Sequence, residues 1–422
     1  MKTQITMTAL KEPKEATVTM PGSKSYTNRA LIMAALTQGP VSLIHPLYSD
    51  DTNAMIECLR ILGIDIETLE NEIIVHTDIS AVEDKNYTLF AYDSGTTVRF
   101  MLALLCLVPG IKTIQGSSRL NDRPIQDLVE ALQQIGAVIT YCDKQGQLPV
   151  TVYSSSLSGP SVYLKGDISS QFCSALLLIA PYLSNGLLIQ NTGALISKPY
   201  IDMTISCMKE AGVEVQTEED KNYRIAKGQS YQQTKYTIEG DFSSAGYFFA
   251  IAALTQSRIL VENLSASSLQ ADRKLLPILA QMGNTIIYQD TGVCVQGKQI
   301  LPLDIDMESC PDQVMTMAVL AAFAKGVTTI SGVRSLRVKE TERVIALQAS
   351  LGKMGIKTDA THDTLTIYGG SPRAATIDSY NDHRIAMAFA VAGMYLPGMV
   401  ILDPNVVHKT FPTFWEVVRS LQ

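Results

Sequence analysis

The sequence has no CxxC pair, and its seven cysteines are an odd number spread along 422 residues. This pattern disfavours both a disulfide framework and a zinc ribbon, and it favours a reducing compartment. Long apolar runs are absent too, since the longest, such as 386–396, are shorter than the about 20 residues that a membrane-spanning helix needs. The first residues contain no apolar signal core and carry early acidic side chains, so we expect no targeting leader. We therefore predict a cytoplasmic protein with no membrane partner.

An excess of basic charge is also lacking. Lys and Arg number 34 against 41 Asp and Glu, which gives a formal net charge of -7 and disfavours a nucleic-acid partner. The hydrophobic fraction is 46%, which at this length predicts two or three domains with sizeable cores and excludes a disordered chain. A small anionic ligand stays possible, because a local basic cluster can form within an acidic protein.

A repeat of about 70 residues runs along the whole chain. In each unit a β-rich stretch leads through a polar turn into an apolar run of helical length, and a second, amphipathic helix follows. Glycines after most of these helices predict left-handed helix caps. The chain is therefore predicted to be an α/β protein of six similar units. Their polar turns contain Lys24, Asp93, Asp167, Asp241, Asp312 and Asp382.

The sixth unit reaches the end of the chain before its closing strands, so we expect residues near the N-terminus to supply them and the two chain ends to be neighbours. The natural division is three units plus three, with crossings near 20–22 and 239–241. We predict one domain of residues 22–239 and a second of residues 1–21 with 240–422. The polar turns would offer anion sites, because the first N–H groups of a helix lack intrahelical partners.

Cationic side chains lie near the starts of these predicted helices, and each segment alone could be a solvated helix start. The polar residues Asp167, Ser169, Asp241 and Ser243 could equally be helix caps. Together the cations call for a ligand with several negative charges, and Asp312 and Glu340 are acids that such surroundings could tune for proton transfer. The cations are Lys24, Arg29, Arg99, Arg123, Lys339, Arg343, Arg384 and Lys409.

An ordered series of motifs between residues 21 and 412 resembles the EPSP synthase family of enolpyruvyl transferases. The motifs are PGSKSYTNRA, DSGTTVRF, DRPIQDL, GDISSQF, SKPYID, VKETER, NDHRIAM and KTFP. The resemblance implies two similar α/β domains, each an inside-out α/β barrel of three βαβαββ repeats, with the active site in the cleft between them. It also implies a monomer that moves the enolpyruvyl group of phosphoenolpyruvate to the 5-hydroxyl of shikimate 3-phosphate, with no metal or organic cofactor.

The resemblance also implies which side chains contact each substrate. Contacts to shikimate 3-phosphate carry over to Lys24, Ser25, Arg29, Ser169, Ser170, Gln171, Ser197, Tyr200, Asp312 and Lys339. Contacts to phosphoenolpyruvate carry over to Lys24, Gly95, Arg123, Gln171, Arg343, Arg384 and Lys409.

The same resemblance implies roles in an addition and elimination through a tetrahedral intermediate. Asp312, with Lys339, would take the proton of the 5-hydroxyl, and Glu340 would exchange the proton of the methylene carbon. Lys24 and Lys409 would stabilise the developing phosphate charge. The herbicide glyphosate becomes an expected competitor of phosphoenolpyruvate.

Three departures from the family pattern stand out, and the third covers two adjacent positions. Asp93 stands where asparagine is commoner, so its carboxylate must be paired, protonated or turned away from the predicted anion site. Ser335 replaces another common asparagine, which predicts a shorter or water-mediated phosphate contact. Gln313 and Val314 follow Asp312 where small alanines are common.

Three alternatives stay open at this point. An enolpyruvyl transferase acting on UDP-N-acetylglucosamine would use a reactive loop cysteine, and no cysteine lies between Lys112 and Tyr141. An inactive anion-binding paralogue would keep the scaffold without turnover. A transferase with a shifted acceptor would keep the phosphoenolpyruvate contacts but change the other pocket.

Overall fold

The computed structural model describes residues 3–166, 168–219 and 221–422. The chain folds into two units, one of Gly22–Ile238 and the other of Met1–Pro21 with Glu239–Gln422. We refer to them below as the central unit and the terminal unit. In the described residues no helix is long and apolar enough to cross a membrane.

Thirteen α-helices occur in the described residues. They are α1 (Lys24–Leu36), α2 (Asp50–Ile61), α3 (Gly95–Leu105), α4 (Ser118–Asn121), α5 (Gln126–Gln134), α6 (Ser170–Ile179), α7 (Lys198–Glu210), α8 (Phe242–Thr255), α9 (Leu275–Gln281), α10 (Val314–Phe323), α11 (Arg343–Lys353), α12 (His383–Gly393) and α13 (Phe414–Ser420). Short 3₁₀ turns add Ile79–Ala81, Ala180–Tyr182, Ala271–Lys274, Pro311–Gln313, Arg334–Val338 and Pro404–Lys409.

The described strands are short and number twenty-three. They are β1 (Gln4–Thr6), β2 (Glu15–Thr19), β3 (Val41–Ile44), β4 (Ile66–Thr68), β5 (Glu72–Val75), β6 (Asn86–Phe90), β7 (Ile111–Gln115), β8 (Val138–Tyr141), β9 (Val150–Tyr153), β10 (Ser161–Lys165), β11 (Leu187–Thr192), β12 (Val215–Glu218), β13 (Asn222–Ile225), β14 (Lys235–Thr237), β15 (Arg258–Glu262), β16 (Thr285–Gln289), β17 (Gly292–Gln296), β18 (Ile305–Asp306), β19 (Gly326–Ser331), β20 (Lys357–Ala360), β21 (Thr364–Gly369), β22 (Thr376–Ile377) and β23 (Val400–Leu402).

Five four-stranded sheets share one topology, in which a parallel pair is extended by two antiparallel strands. The central unit contains β14-β3-β5-β4, β6-β7-β9-β8 and β10-β11-β13-β12, and the terminal unit contains β2-β15-β17-β16 and β18-β19-β21-β20. The sixth sheet has three strands, β1-β23-β22. The predicted sixfold repeat of strands and helices is therefore confirmed.

The two crossings of the chain exchange strands between repeats. Strand β2, which precedes α1 in sequence, pairs in parallel with β15 of the terminal unit. Strand β14, which precedes α8, pairs instead with β3 of the central unit. The N-terminal strand β1 pairs antiparallel with β23, and the Gln422 side chain donates to the Thr8 carbonyl over 2.7 Å. The expectation that the N-terminus completes the sixth unit, beside the C-terminus, is confirmed.

Each unit is built around three buried helices. In the central unit α1, α3 and α6 contact one another, and in the terminal unit α8, α10 and α12 do so. These helices are buried on nearly every side, as is usual for a helix enclosed by other elements. The sheets surround them and turn one face outward, as the alternating burial of β7 shows.

The predicted helix-ending glycines all have positive φ, which a residue without Cβ adopts without strain. They are Gly39, Gly63, Gly110, Gly136, Gly186, Gly212, Gly283, Gly326, Gly355 and Gly398. After α8, where the sequence offers no glycine, Gln256 takes the same left-handed conformation with φ 54°. The fourth unit therefore ends its helix at an energetic cost that the other units avoid.

Candidate active site

Lys24 is the first residue of α1, and its ammonium group lies 3.3 Å from the Asp51 carboxylate at the start of α2. Their side chains are 16% and 4% exposed, so this ion pair is largely removed from water. The Asp51 carbonyl accepts hydrogen bonds from the hydroxyls of Ser94 and Thr97. Asp51 therefore joins the starts of α1, α2 and α3.

Gly95, the first residue of α3, lies against two buried guanidinium groups. A Cβ at this position would lie 2.5 Å from Nη1 of Arg99 and 2.7 Å from Nη1 of Arg123. Arg99 donates from Nη1 to the Gly95 carbonyl over 3.1 Å and stacks over the Phe172 ring. A residue larger than glycine would displace both cations.

Gln171 connects this arginine pair to the start of α6. Its Oε1 accepts from Arg99 over 2.9 Å, and its Nε2 donates to the Thr96 hydroxyl over 3.0 Å. Ser169 caps α6, because its hydroxyl accepts from the Gln171 backbone N–H, and Ser170 is buried at the first helical position. The preceding Asp167, a candidate cap, lies outside the described residues.

Arg29 lies deeper, at 2% exposed, and its hydrogen bonds are made within the central unit. Nε donates to Thr204 over 2.8 Å, while the terminal nitrogens donate to the carbonyls of Ser25 and Tyr200. Burial lowers the pKa of this guanidinium from its ordinary value, and nearby thiol and phenol groups oppose that effect. Arg29 thus holds the first turns of α1 and α7 together. Ser197, just before α7, has the left-handed φ of 52°, which is uncommon in a residue other than glycine.

Asp93, the first departure from the family pattern, is exposed and accepts a hydrogen bond from the Ser117 hydroxyl. Its carboxyl group is thus hydrogen-bonded to the residue that precedes α4. The start of α3 keeps Ser94 as its cap, since the Ser94 hydroxyl accepts from the Thr97 N–H.

In the terminal unit, Arg343 at the start of α11 is the centre of a carboxylate cluster. It is 1% exposed and donates to Asp382 from Nε over 2.7 Å, to Asp312 from Nη1 over 3.2 Å and to Glu340 from Nη2 over 3.0 Å. Burial opposes its charge, but the three carboxylates outweigh burial and raise the pKa of the guanidinium above its ordinary value. One cation therefore orients both candidate acid–base groups, Asp312 and Glu340.

Arg384 provides a second contact to Asp312, donating from Nη2 to Oδ2 over 2.7 Å. Its other terminal nitrogen lies 3.5 Å from the Tyr247 hydroxyl, and burial raises the pKa of that phenol to about 12. Asp382 caps α12 through the Arg384 N–H, and it is fully buried. Each oxygen of Asp312 thus accepts from a different arginine.

Glu340 extends this cluster towards Lys409. Its Oε1 lies 4.0 Å from the Lys409 ammonium group, and the two side chains are 16% and 8% exposed. Ser335 is half-buried within the turn Arg334–Val338, and Lys339 is half-buried on the segment that follows this turn and leads into α11. The motif residues VKETER therefore contribute a lysine, an acid and an arginine to one side of the terminal unit.

Gln313, one of the departures, is fully buried in the terminal unit, where its amide nitrogen is hydrogen-bonded. Its amide donates to the carbonyls of Phe242 and Ser243 at the start of α8. A Cβ at Gly246 would lie 2.3 Å from the Gln313 amide oxygen, so the larger residue after Asp312 requires the glycine on α8. Ser243 is not a helix cap, since it lies inside α8 and donates to Asp272, whereas Asp241 does cap this helix.

Two acidic residues that contact the candidate site were not identified from the sequence. Asp51 was visible only as one acidic residue in the first turn of α2, and its contact with Lys24 depends on the packing of α1 against α2. Asp272 had no pattern to mark it, because it precedes α9 as an ordinary acid among ADRKLL. In the described residues no group of three or more His, Cys, Asp or Glu side chains could hold a metal ion.

Comparison with known proteins places these residues in a family. The family described as EPSP synthase (3-phosphoshikimate 1-carboxyvinyltransferase) matches residues 10–418. A 3-phosphoshikimate 1-carboxyvinyltransferase of Nostoc punctiforme is 41% identical over 416 residues, which is 97% of each chain. One of Shewanella piezotolerans is 38% identical over 415 residues, again 97% of each chain. A solved EPSP synthase of Acinetobacter baumannii, 24% identical, has a TM-score of 0.82 and covers 99% of this chain and 98% of that one. This chain therefore belongs to the EPSP synthase (3-phosphoshikimate 1-carboxyvinyltransferase) family.

Proposed function

We propose that this protein transfers the enolpyruvyl group of phosphoenolpyruvate to the 5-hydroxyl of shikimate 3-phosphate. The observation that carries the proposal is the placement of two acids, Asp312 and Glu340, on a single buried guanidinium, that of Arg343. A reaction that removes a proton from a hydroxyl and delivers one to carbon needs two such groups held in fixed positions.

In the addition step the 5-hydroxyl oxygen bonds to C2 of phosphoenolpyruvate, its proton passes to Asp312, and C3 gains a proton to become a methyl group. In the elimination step the methyl group returns a proton, the C2–C3 double bond forms again, and phosphate leaves from C2. Glu340 is the proposed partner of C3, and Lys339 assists at the hydroxyl. No metal or organic cofactor is part of this scheme.

The cationic side chains suit two polyanionic substrates. We assign Lys24, Gly95, Arg123, Gln171, Arg343, Arg384 and Lys409 to phosphoenolpyruvate. The assignments for shikimate 3-phosphate are Lys24, Ser25, Arg29, Ser169, Ser170, Gln171, Ser197, Tyr200, Asp312 and Lys339. Burial of Arg123, Arg343 and Arg384 supports these roles, because an anion gains more from a cation in surroundings of low dielectric constant. Helix starts at Ser170 and Lys198 add backbone N–H donors for phosphate oxygens.

The test is phosphate release from phosphoenolpyruvate, measured with and without shikimate 3-phosphate. We expect release only when both substrates are present, and we expect Asp312→Ala to lower kcat by about 10² or more, because it removes a positioned base. Asp290→Ala is a matched control, since Asp290 is an exposed acid between β16 and β17.

Each of the other results would point elsewhere. Binding of shikimate 3-phosphate by calorimetry without phosphate release would indicate an inactive paralogue. Release that needs an acceptor other than shikimate 3-phosphate would indicate a shifted acceptor. Full activity of Asp312→Ala would contradict the assigned base.

We further propose a monomeric cytoplasmic enzyme. In the described residues all seven cysteines are free thiols, and six of them are buried, which suits a reducing compartment. Sedimentation equilibrium at micromolar concentration should give a mass near 46.0 kDa, and a mass near twice that value would contradict the monomer.

A further inference from the structure

Asp51 is a buried carboxylate beside Lys24 that the proposed reaction does not use. Its side chain is 4% exposed, and its Oδ2 lies 3.3 Å from the Lys24 ammonium group. Both residues stand in the first turn of a helix of the central unit, Lys24 in α1 and Asp51 in α2. Burying a carboxylate is costly unless it is paired, so its partner indicates its role.

The hydroxyl groups of two threonines connect these two first turns. Thr27, on α1, accepts from the Leu47 N–H over 3.0 Å and donates to the Ser23 carbonyl over 2.8 Å. Thr52, on α2, donates to the Leu47 carbonyl over 2.8 Å. Both threonines and Leu47 are buried, so water does not compete for these bonds. The backbone of Leu47 is therefore a fixed bridge that sets where the two first turns lie.

Asp51 is the rigid member of the ion pair, and Lys24 is the flexible one. The first turn of a helix favours the negative charge of a carboxylate. The Asp51 carbonyl also accepts from the hydroxyls of Ser94 and Thr97, each over 3.2 Å, which fixes its backbone to the start of α3. A lysine carries its charge on a flexible four-carbon stem, so the position of its ammonium group depends on what holds the end of the side chain.

We infer that Asp51 is a positioning residue that holds the Lys24 ammonium group where negative charge develops on the departing phosphate. The inference rests on the proposed function, in which Lys24 contacts phosphoenolpyruvate. An ammonium group has three donors, so it can contact the carboxylate and substrate oxygens together. A charge that is fixed in advance stabilises a transition state without the cost of moving during the reaction. Asp51 acts through Lys24 and is not itself a substrate contact.

This role predicts different effects on kcat and on KM. The Asp51 carboxylate repels anionic substrates, so its removal should preserve or strengthen their binding. The same removal lets the Lys24 side chain rotate, which weakens the stabilisation of the transition state. We therefore expect kcat to fall while the KM for phosphoenolpyruvate stays level or falls. A residue with a merely structural role would instead raise KM, because its loss would distort the binding site.

The first experiment measures kcat and KM by phosphate release. Asp51→Asn removes the charge and keeps the shape of the side chain, and we expect kcat to fall about tenfold or more, since a preorganised electrostatic contact is lost. The KM for phosphoenolpyruvate should not rise. Asp50→Asn is the matched control, because Asp50 is an exposed carboxylate in the same first turn of α2. That control should keep the parental kcat and KM.

The second experiment tests the contact without turnover. Brief acetylation with acetic anhydride, followed by peptide mass spectrometry, compares how fast each lysine reacts in the folded protein. The Lys24 side chain is only 16% exposed while Asp51 holds it. Asp51→Asn should let it reach solvent more often and raise its rate about threefold or more, a factor that corresponds to a weak ion pair. Lys198, which lies 2.8 Å from Asp202, is the internal control and should react at the parental rate.

Circular dichroism of each variant checks that the fold is retained. If Asp51→Asn does not fold, Asp51→Ser makes the same two tests, because serine also removes the carboxylate and is smaller than asparagine.

The inference is overturned if Asp51→Asn keeps the parental kcat, if its KM for phosphoenolpyruvate rises as much as its kcat falls, or if the reactivity of Lys24 is unchanged. An equal loss of kcat in Asp50→Asn would also overturn it, since the effect would then belong to the helix terminus. Failure of the proposed function would look different. The parent protein would then release no phosphate with both substrates present, while the reactivity of Lys24 would still respond to Asp51→Asn.

Discussion

Replacing Gly95 with alanine tests how closely the Arg99 and Arg123 guanidinium groups pack against the start of α3. The new Cβ would lie 2.5 Å from the Arg99 guanidinium and 2.7 Å from that of Arg123. Real Cβ contacts are seldom shorter than 3.4 Å, so each guanidinium must withdraw by about 1 Å. Arg99 cannot withdraw without stretching its bonds to Gln171 and to the Gly95 carbonyl, which are 2.9 and 3.1 Å long.

The magnitude follows from the interactions that this displacement weakens. A hydrogen bond to a charged group contributes about 1.5–3 kcal/mol, and loss of one such bond to phosphoenolpyruvate raises a dissociation constant about 10- to 100-fold. We expect Gly95→Ala to raise the KM for phosphoenolpyruvate by this factor and to weaken glyphosate inhibition by a similar one. The KM for shikimate 3-phosphate should change less than that for phosphoenolpyruvate, because of its proposed contacts only Gln171 is hydrogen-bonded to a displaced arginine.

The assay is steady-state phosphate release, with each substrate varied at saturation of the other and with glyphosate as a competitor. Gly352→Ala is the matched control, since Gly352 lies inside α11 and a Cβ there would meet nothing within 4 Å. That control should keep both KM values and gain about 0.5–1 kcal/mol of stability from its higher helix propensity. Unchanged KM and unchanged inhibition in Gly95→Ala would refute the reasoning.

The remaining predictions concern stability and reactivity. Arg29→Lys should lower the free energy of unfolding by about 2–4 kcal/mol in urea titrations, because a lysine cannot donate to Thr204, Tyr200 and Ser25 together. Arg224→Lys is the control, because it changes an exposed ion pair and should alter the free energy of unfolding by less than about 1 kcal/mol. Equal losses of stability in the two variants would contradict this account. Because burial raises the folded pKa of Asp272 to about 6 from 3.8, its contribution to stability is fully present below pH 3.8 and lost as the pH rises through 6. In urea titrations between these pH values, Asp272→Asn should therefore remove the part of the pH dependence of the free energy of unfolding that Asp272 causes. The same pH dependence in the variant as in the parent protein would be evidence against a raised pKa of Asp272. Of the seven thiols only Cys142 is exposed, and burial raises the pKa of Cys58, Cys106, Cys173 and Cys310 to about 12. A disulfide reagent should thus modify one thiol rapidly in the folded protein and none in Cys142→Ser. Rapid modification of several thiols would show instead that the reagent reaches the buried cysteines.

Much of the fold could be predicted because the repeat is local in origin. Each polar turn, apolar helix and capping glycine is specified within a few residues, so positions such as Gly110 and Gly212 are recognisable without any tertiary contact. The completion of the sixth unit by β1 was also predictable, since a strand without a partner must find one. The sequence predicted where the two crossings lie but not that β2 and β14 pair with sheets of the other repeats, because sheet pairing joins residues far apart in sequence.

The candidate site was predictable as a list of residues and not as a set of contacts. Motifs around Lys24, Gly95, Arg343 and Arg384 identified the cations, but nothing in the chain indicated that Arg343 would hold both candidate acids. The orientation of Asp93 was equally undetermined, since Ser117 lies on a different element.

The amino-acid sequence by itself determined the α/β repeat, the helix ends and the chemical inventory of the site, because these depend on propensities and spacing along the chain. The tertiary structure decided which charges meet. Asp51 pairs with Lys24, Asp382 with Arg343 and Ser243 with Asp272 only because buried helices bring separate first turns together. In that buried environment the strength of a charge depends on its neighbours in space, which no local pattern records.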